Sequence, residues 1–365
     1  MTRVNYPTGF DPAALVAVDL DADGDADFAA ANYFSQSVSI MINPGDGTYT
    51  LKVDYPINGY SLALCVSDLD GDGDLDLAAP ISNAAGHSIS LLMNNGDGTF
   101  APPSNFGVGL SLLSIVATDL EGDGDNDLVV ADGSASCLWL FANSGNGTFP
   151  QEQEYLSVGS QPRLVFASDL DLDGDPDLIV PKTSMVSILK NNGDGTFSPR
   201  VDYLTGEPTN SAFAADFDGD GDVDIAVTRG IYNKISVLQN NGDGSFVFGG
   251  DFPTGWGTKA IVSADLDGDG DLDLATTNVT DSTISILRNL INPRNCPGLT
   301  GDLNADSTLS AADVTLLLNC VFFGDTTGFR YLPCRTDVNC DGFTAPADIV
   351  VELNAVFLNK PFCSQ

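Results

Sequence analysis

The residues of this chain that could do chemistry are aspartates set at every second position. Asp68-Leu-Asp70-Gly-Asp72-Gly-Asp74-Leu-Asp76 packs five carboxylates into nine residues, with a glycine at the sixth. Like charges this dense repel one another unless a cation lies among them. Hard oxygen donors at positions 1, 3, 5 and 9, with glycine for the sharp turn, are what calcium needs. The pattern occurs six times, beginning at Asp19, Asp68, Asp119, Asp169, Asp216 and Asp265, at intervals of 49, 51, 50, 47 and 49 residues. The candidate ligands are Asp19, Asp21, Asp23, Asp25 and Asp27, then Asp68, Asp70, Asp72, Asp74 and Asp76. The third loop has Asp119, Glu121, Asp123, Asp125 and Asp127, the fourth Asp169, Asp171, Asp173, Asp175 and Asp177. The fifth has Asp216, Asp218, Asp220, Asp222 and Asp224, and the sixth Asp265, Asp267, Asp269, Asp271 and Asp273. Glu121 makes the third the weakest match. A period this regular predicts a repeat architecture.

The flanking segments must position these loops. In each repeat an apolar run precedes the loop and another follows it, for example Ala13 to Val18 and Leu75 to Pro80. A third run alternates with period two, as in Val38-Ser-Ile40-Met-Ile42. A glycine-rich turn comes next, such as Asn95-Gly-Asp-Gly-Thr-Phe100, and such turns between apolar runs signal hairpins. A fourth short run follows, such as Val201-Asp-Tyr203-Leu. Four strands per fifty-residue repeat predict propeller blades. The sixth repeat stops at Asn289 without a fourth strand, whereas Val4-Asn-Tyr6-Pro-Thr-Gly9 resembles the fourth-strand segments. The N-terminus is therefore expected to complete blade six and close the ring, leaving no free edge. Over residues 1–291, loop and turn recurring in register resemble the FG-GAP/VCBS family of calcium-binding β-propellers, related to the integrin α-subunit head. The best-known relatives have seven blades; the count here is six.

Residues 292–300 read as a linker, and residues 301–365 change character to helical runs and crowded cysteines. Asp302, Asn304, Asp306, Thr308 and Asp313 precede the helical run Val314 to Phe323, and Asp337, Asn339, Asp341, Phe343 (through its carbonyl) and Asp348 precede Ile349 to Leu358. Ligands at 1, 3, 5, 7 and 12 make an EF-hand-type loop. The pair resembles the dockerin family, whose tandem calcium loop–helix units dock onto cohesin domains. The recognition positions that resemblance assigns hold Ala311, Ala312, Pro346 and Ala347, which are poor hydrogen-bonding residues. The expected fold is thus an all-β propeller of six four-stranded blades plus a small α-helical, EF-hand-like domain. The expected cofactor is Ca2+, about six ions in the propeller and two in the tail. Five of the seven cysteines lie in the tail and read as a disulfide framework of an oxidising compartment. Cys340 with Cys363 is one candidate bridge; the odd cysteine is left free or links chains. Cys65 and Cys137 read as buried strand residues.

The net charge of -37 argues against nucleic-acid and anionic-membrane partners, and no apolar run is long enough to insert into a membrane. Met1-Thr-Arg-Val-Asn lacks a signal-peptide apolar region. The chain is expected to begin near a mature or engineered N-terminus and to work outside the cell or at its surface. No nucleophile motif or phosphate loop occurs. The lone His87 is assigned to a variable loop, Ser82 to His87, so no enzyme is expected. Strand parity puts the acidic loops and glycine turns on one face and the more variable loops on the other. Those carry Tyr33, Tyr60, Tyr232 and Trp256, candidates for contact with a protein or glycan. Two roles follow: a recognition propeller tethered to a protein partner through its tail, or a subunit that assembles with further copies of itself into a filament or surface layer. A carbohydrate-binding propeller of a polysaccharide-processing complex is the minor alternative. Asn146-Gly-Thr and Asn278-Val-Thr are formal glycosylation sequons, of which Asn146 reads as a plain turn residue.

Overall fold

Each acidic loop closes a hairpin, and the register of that hairpin is the same throughout. In the computed structural model residues 4–289 are described, except 50, 85, 108, 110, 150–153, 160, 207–208 and 267–269. The tail, with the loop–helix units beginning at Asp302 and Asp337 and the Cys340–Cys363 bridge, lies outside the described residues, as do Asp267 and Asp269. Blade 1 pairs Pro12–Val18, Asp27–Asn32, Ser37–Ile42 and Leu51–Pro56 in chain order. Blade 2 has Cys65–Ser67, Asp76–Asn83, Gly86–Leu92 and Ser104–Gly107. Blade 3 has Leu112–Thr118, Asp127–Asp132, Cys137–Phe141 and Glu154–Ser157. Blade 4 has Phe166–Ser168, Asp177–Pro181, Met185–Leu189 and Val201–Leu204. Blade 5 has Thr209–Ala215, Asp224–Arg229, Lys234–Asn240 and Phe246–Pro253, and blade 6 has Thr258–Ala264, Asp273–Asn278 and Thr283–Leu287. The ninth loop residue always opens the second strand, facing the last residue of the first: Val18 with Asp27, Ser67 with Asp76, Thr118 with Asp127. Six antiparallel meanders in series make the chain a six-blade all-β propeller.

Second strands are almost wholly buried because a blade lies on either side of them. Hence they read as continuous apolar runs, whereas third strands alternate with serine. Those serines turn to the fourth strand, as where Ser39 Oγ donates to Asp54 at 2.6 Å. Five apolar clusters join consecutive blades; the first packs Leu20, Val38 and Ile40 against Ile57, Leu77 and Leu92. His87 differs from the expectation. Ser82 pairs with His87 and Asn83 with Gly86, so the hairpin extends through that segment and His87 lies on a strand. Cys65 and Cys137 are free thiols in strands, as read, and burial pushes them up to about 12 and about 11.

A repeated latch fixes each loop. The ninth-position carboxylate is buried, and both of its oxygens accept backbone N–H groups. In blade 1, Leu20 donates to Asp27 at 2.8 Å and Asn43 at 2.6 Å. The same pair of bonds holds Asp76, Asp127, Asp177, Asp224 and Asp273. The asparagine then reaches the previous blade. Asn94 donates through Nδ2 to the Leu20 carbonyl, Asn143 to Leu69 and Asn191 to Leu120, each at 2.8 Å, and Asn240 to Leu170 and Asn289 to Phe217, each at 2.7 Å.

The expected fourth strand of blade 6 is not formed. Thr283–Leu287 pairs only with Asp273–Asn278 among the described residues. Residues 4–9 are held instead by blade 1. The Tyr6 ring meets Tyr49 edge-on at 5.2 Å, as Tyr55 meets Phe100 and Tyr203 meets Phe246. Gly9 N donates to Ser39 Oγ, as Gly255 N does to Ser285 Oγ. The segment therefore stands beside blade 1 where a preceding blade's last strand would run. Among the described residues no apolar cluster joins blade 6 to blade 1. Leu266 is 49% exposed, although its counterparts Leu20, Leu69, Leu120, Leu170 and Phe217 are buried.

The latch gives a direct test. Asn143→Ala removes the bonds to the Leu69 and Asn126 carbonyls at a buried site, and buried groups left unpaired cost about 1–3 kcal/mol. The unfolding free energy is expected to fall by that amount, seen as a lower denaturant midpoint with an unchanged slope. An unchanged midpoint would mean that the latch carries no stability.

Candidate metal centres and recognition face

Backbone donors shape the loops before any ion is considered. The first-position carboxylate accepts glycine N–H groups: Asp68 from Gly71 at 2.8 Å and Gly73 at 3.0 Å, and Asp19 from Gly24 at 2.9 Å. The fifth-position carboxylate accepts the seventh residue's N–H, as Asp72 does from Asp74. These bonds require a positive φ at position 6, +94° at Gly73 and +92° at Gly24, which is why glycine recurs there. Four loops bring three carboxylates within 4.8 Å of one another: Asp19, Asp21 and Asp27; Asp68, Asp70 and Asp76; Asp169, Asp171 and Asp173; Asp216, Asp218 and Asp224. The third loop brings no such trio together among the described residues.

The donors fit a hard cation. Asp19 Oδ1, Asp21 Oδ1, Asp70 Oδ1, Asp169 Oδ1 and Asp171 Oδ1 are buried oxygens with no hydrogen-bond partner. A buried carboxylate oxygen without a donor is costly, and a cation with oxygen ligands removes that cost. The electrostatics agree. Burial, with the neighbouring carboxylates adding to it, pushes Asp76, Asp177 and Asp224 up to about 6. Asp21 and Asp70 are raised for the same reasons. In the third loop burial and the hydrogen-bonded Asp127 push Glu121 up to about 7, so those two carboxyls face each other.

The seventh position has a different place. A Cβ on Gly45 would lie 2.8 Å from Asp25 Oδ2, and one on Gly96 would lie 2.5 Å from Asp74 Oδ2. Asp125, Asp175 and Asp222 stand against Gly145, Gly193 and Gly242 in the same way. These carboxylates pack over the glycine turn of their own blade and belong to none of the four trios. Sequence spacing treats them like the other aspartates; only the second hairpin of the blade tells them apart. Asp265, Asp271 and Asp273 of the sixth loop are described without their two central partners.

The opposite face carries the aromatic candidates. Tyr33 and Tyr60 come together, ring centroids 5.0 Å apart, although they belong to the loops of blade 1 and its link to blade 2. Phe34 lies 5.1 Å from Tyr33, and Phe10 5.7 Å from Phe34. Phe10 and Phe34 are exposed. Bonds between Phe10 N and Ser35 Oγ and between Tyr33 N and the Asp11 carbonyl fix these loops. Tyr232 is flanked by Arg229 and Lys234, 5.5 and 5.6 Å from its centroid. Trp256 is exposed nearby on the connection into blade 6, its backbone N–H held by Asp281. Asn146 accepts from Thr148 within its turn, and Asn278 is buried.

The raised carboxyls set a pH test. Their folded-state values lie above the ordinary carboxylate value near 3.9. Their contribution is thus fully present below that value and lost as pH rises through about 6. Chelated protein is expected to melt at a higher temperature at pH 5 than at pH 7, and added calcium to raise the melting temperature most at pH 7. Thermal unfolding in chelator and in calcium at both pH values checks this. A chelated protein that is less stable at pH 5 would overturn it.

The FG-GAP-like repeat model matches residues 19–79, 119–180, 169–227 and 216–276, more than half of the chain. No curated protein matches. Among solved structures, an Agrocybe aegerita lectin, studied for specific recognition of non-reducing terminal N-acetylglucosamine, has a TM-score of 0.53 at 21% identity, covering 73% of this chain and 74% of its own. A protein of unknown function from Desulfotomaculum acetoxidans has a TM-score of 0.53 at 12% identity, covering 78% and 91%. At these identities the likeness is one of fold. No helix among the described residues is long and apolar enough to cross a membrane. With the matched repeats lying on successive blades, each framed by its acidic loop, the chain belongs to the FG-GAP-like repeat proteins.

Proposed function

We propose that the chain is a non-catalytic, calcium-stabilised recognition propeller of the extracellular space or cell surface, tethered to a protein partner through its dockerin-like tail. The observation that carries this reading is the division of labour between faces. The acidic loops, with their unpartnered buried oxygens, crowd one face, and the cluster of Phe10, Tyr33, Phe34 and Tyr60 is fixed and partly exposed on the other. Positions 1, 3, 5 and 9 would hold calcium, position 9 joining positions 1 and 3 in three of the four trios while its latch keeps the loop closed. Exposed aromatic faces with few charges suit the apolar face of a neutral sugar or a protein side chain. The lectin of the same fold supports the glycan alternative.

The second reading, self-assembly, is favoured by the edge of Thr283–Leu287, unpaired among the described residues, and by the exposed Val262, Ile284 and Ile286. A free edge is a template for strand addition. The first reading requires no second copy of the chain at that edge. In the second, the tail docks on a neighbouring copy and a further chain covers that edge.

Size-exclusion chromatography and negative-stain microscopy in calcium separate the two readings. A calcium-dependent monomer that binds an immobilised neutral glycan or a protein ligand, and loses at least tenfold in affinity on Phe34→Ala, supports the first. Fibres that dissolve on chelation overturn it in favour of assembly.

A further inference from the structure

The residue just before the latch asparagine differs from blade to blade: Ile42, Met93, Ala142, Lys190, Gln239 and Arg288. In blades 1, 2 and 4 it occupies one recurring slot, beside the third loop position and beneath the next blade's glycine turn. A Cβ on Gly98 would meet Ile42 Cδ1 at 2.7 Å and Asp21 Cβ at 3.2 Å. One on Gly147 would meet Met93 Cε at 2.6 Å and Asp70 Cβ at 3.2 Å, and one on Gly244 would meet Lys190 Cε at 2.7 Å and Asp171 Cβ at 3.4 Å. In blade 3 the slot residue is the small Ala142, and the longer Glu121 comes within 3.7 Å of the corresponding point on Gly195.

The slot side chains differ in what they offer the third-position carboxylate. Ile42 and Met93 offer no donor, whereas Lys190 and Gln239 each engage Oδ2 of the third-position carboxylate; Oδ1 lacks a partner in Asp21, Asp70 and Asp171 alike. The Lys190 ammonium stands 3.2 Å from Asp171 Oδ2 and also bonds the Asp243 carbonyl of the next blade. Gln239 Nε2 donates to Asp218 Oδ2 at 2.9 Å. A cation entering loop 1 or 2 meets carboxylates that have nothing better to bind. One entering loop 4 must displace an ammonium or share a carboxylate with it, and one entering loop 5 must displace an amide.

We propose that this slot residue grades the calcium sites, so that loops 1 and 2 fill at lower calcium than loops 4 and 5. The proposal rests on the calcium reading above. Ligand charge sets calcium affinity in oxygen cages, and a fixed positive charge about 4–6 Å from a divalent ion at a partly exposed site weakens binding by roughly tenfold. Lys190 would also act as a tethered counterion, holding the junction of blades 4 and 5 together when calcium is scarce.

The test is calcium titration of the full chain, by calorimetry or by competition with a chromophoric chelator, for the unmodified protein, Lys190→Met and Ile42→Lys. Methionine already fills the slot in blade 2, so Lys190→Met is expected to fold. The unmodified protein is expected to show at least two classes of site. Lys190→Met should tighten one weak site by roughly tenfold and lower the melting temperature in chelator while leaving it unchanged or higher in calcium. Ile42→Lys should move one site from the tight class to the weak class. If Lys190→Met keeps a native near-ultraviolet spectrum and the titration is unaltered, the grading is overturned and calcium binding stands. If the unmodified protein takes up no calcium, both are overturned.

Discussion

The structure depends on a buried carboxylate at the ninth position of every loop. Asp27, Asp76, Asp127, Asp177, Asp224 and Asp273 are each enclosed where a charge is costly, and each accepts one N–H from its own loop and one from the third strand's end. Because both oxygens accept, an asparagine in their place would set an amide donor against a backbone donor. A carboxyl satisfies the site where an amide does not, and when it is ionised its charge must be balanced by hydrogen bonds and by whatever positive charge lies in the loop. Six of the chain's aspartates are therefore required by its architecture, whereas others, such as Asp23, Asp72 and Asp97, are exposed.

From that carboxylate the coupling runs outward through each blade and into the next. Its partner asparagine bonds the previous blade's carbonyl at the second loop position. The blade's first turn glycine lies under its own seventh-position carboxylate, and its second turn glycine over the third position of the blade before. Loop, turn and neighbour form one network, so a change of side chain there is felt in two blades. The far face is joined by bonds that differ from blade to blade, such as Lys182 to the Val158 carbonyl and Asn210 to the Thr258 carbonyl, and not by one repeated set. Its loops can differ from blade to blade without disturbing the core, and this freedom lets them carry the aromatic cluster at one place and a cation-flanked tyrosine at another.

The period of the acidic loops, the strand order and the blade count were legible in the sequence, because each rests on local chemistry repeated in register. Asp-Gly turns and period-two alternation require only neighbours along the chain. What was not legible depends on neighbours across blades. Asp74 reads like Asp72 until Gly96 is placed over it. Lys190 reads as the end of a strand until Asp171 and Asp243 close on it. His87 reads as loop because glycine precedes it, yet pairing with Ser82 carries the strand through. Tyr33 and Tyr60 were each legible as candidates, but their stacking was not, since they are brought together by the packing of two blades.

The same repetition constrains the two end faces. Five junctions share one design: an asparagine bond to the previous blade and a buried apolar cluster. At the sixth, Asn43 bonds Ala26 of its own blade and no carbonyl of blade 6 among the described residues. Val262, Leu266, Ile284 and Ile286 of blade 6 are exposed, as is Leu15 of blade 1. Burying each of those side chains is worth about 1.5–3 kcal/mol, and pairing the free edge adds hydrogen bonds. The sum is comparable to the whole stability of an ordinary domain. A surface with that much to gain is a driving force for closure, whether on the chain's own first strand or on a neighbour. The acidic loops bear on that choice under the calcium reading, because a cation bound in blade 1 or blade 6 would offset part of the mutual repulsion of their carboxylates.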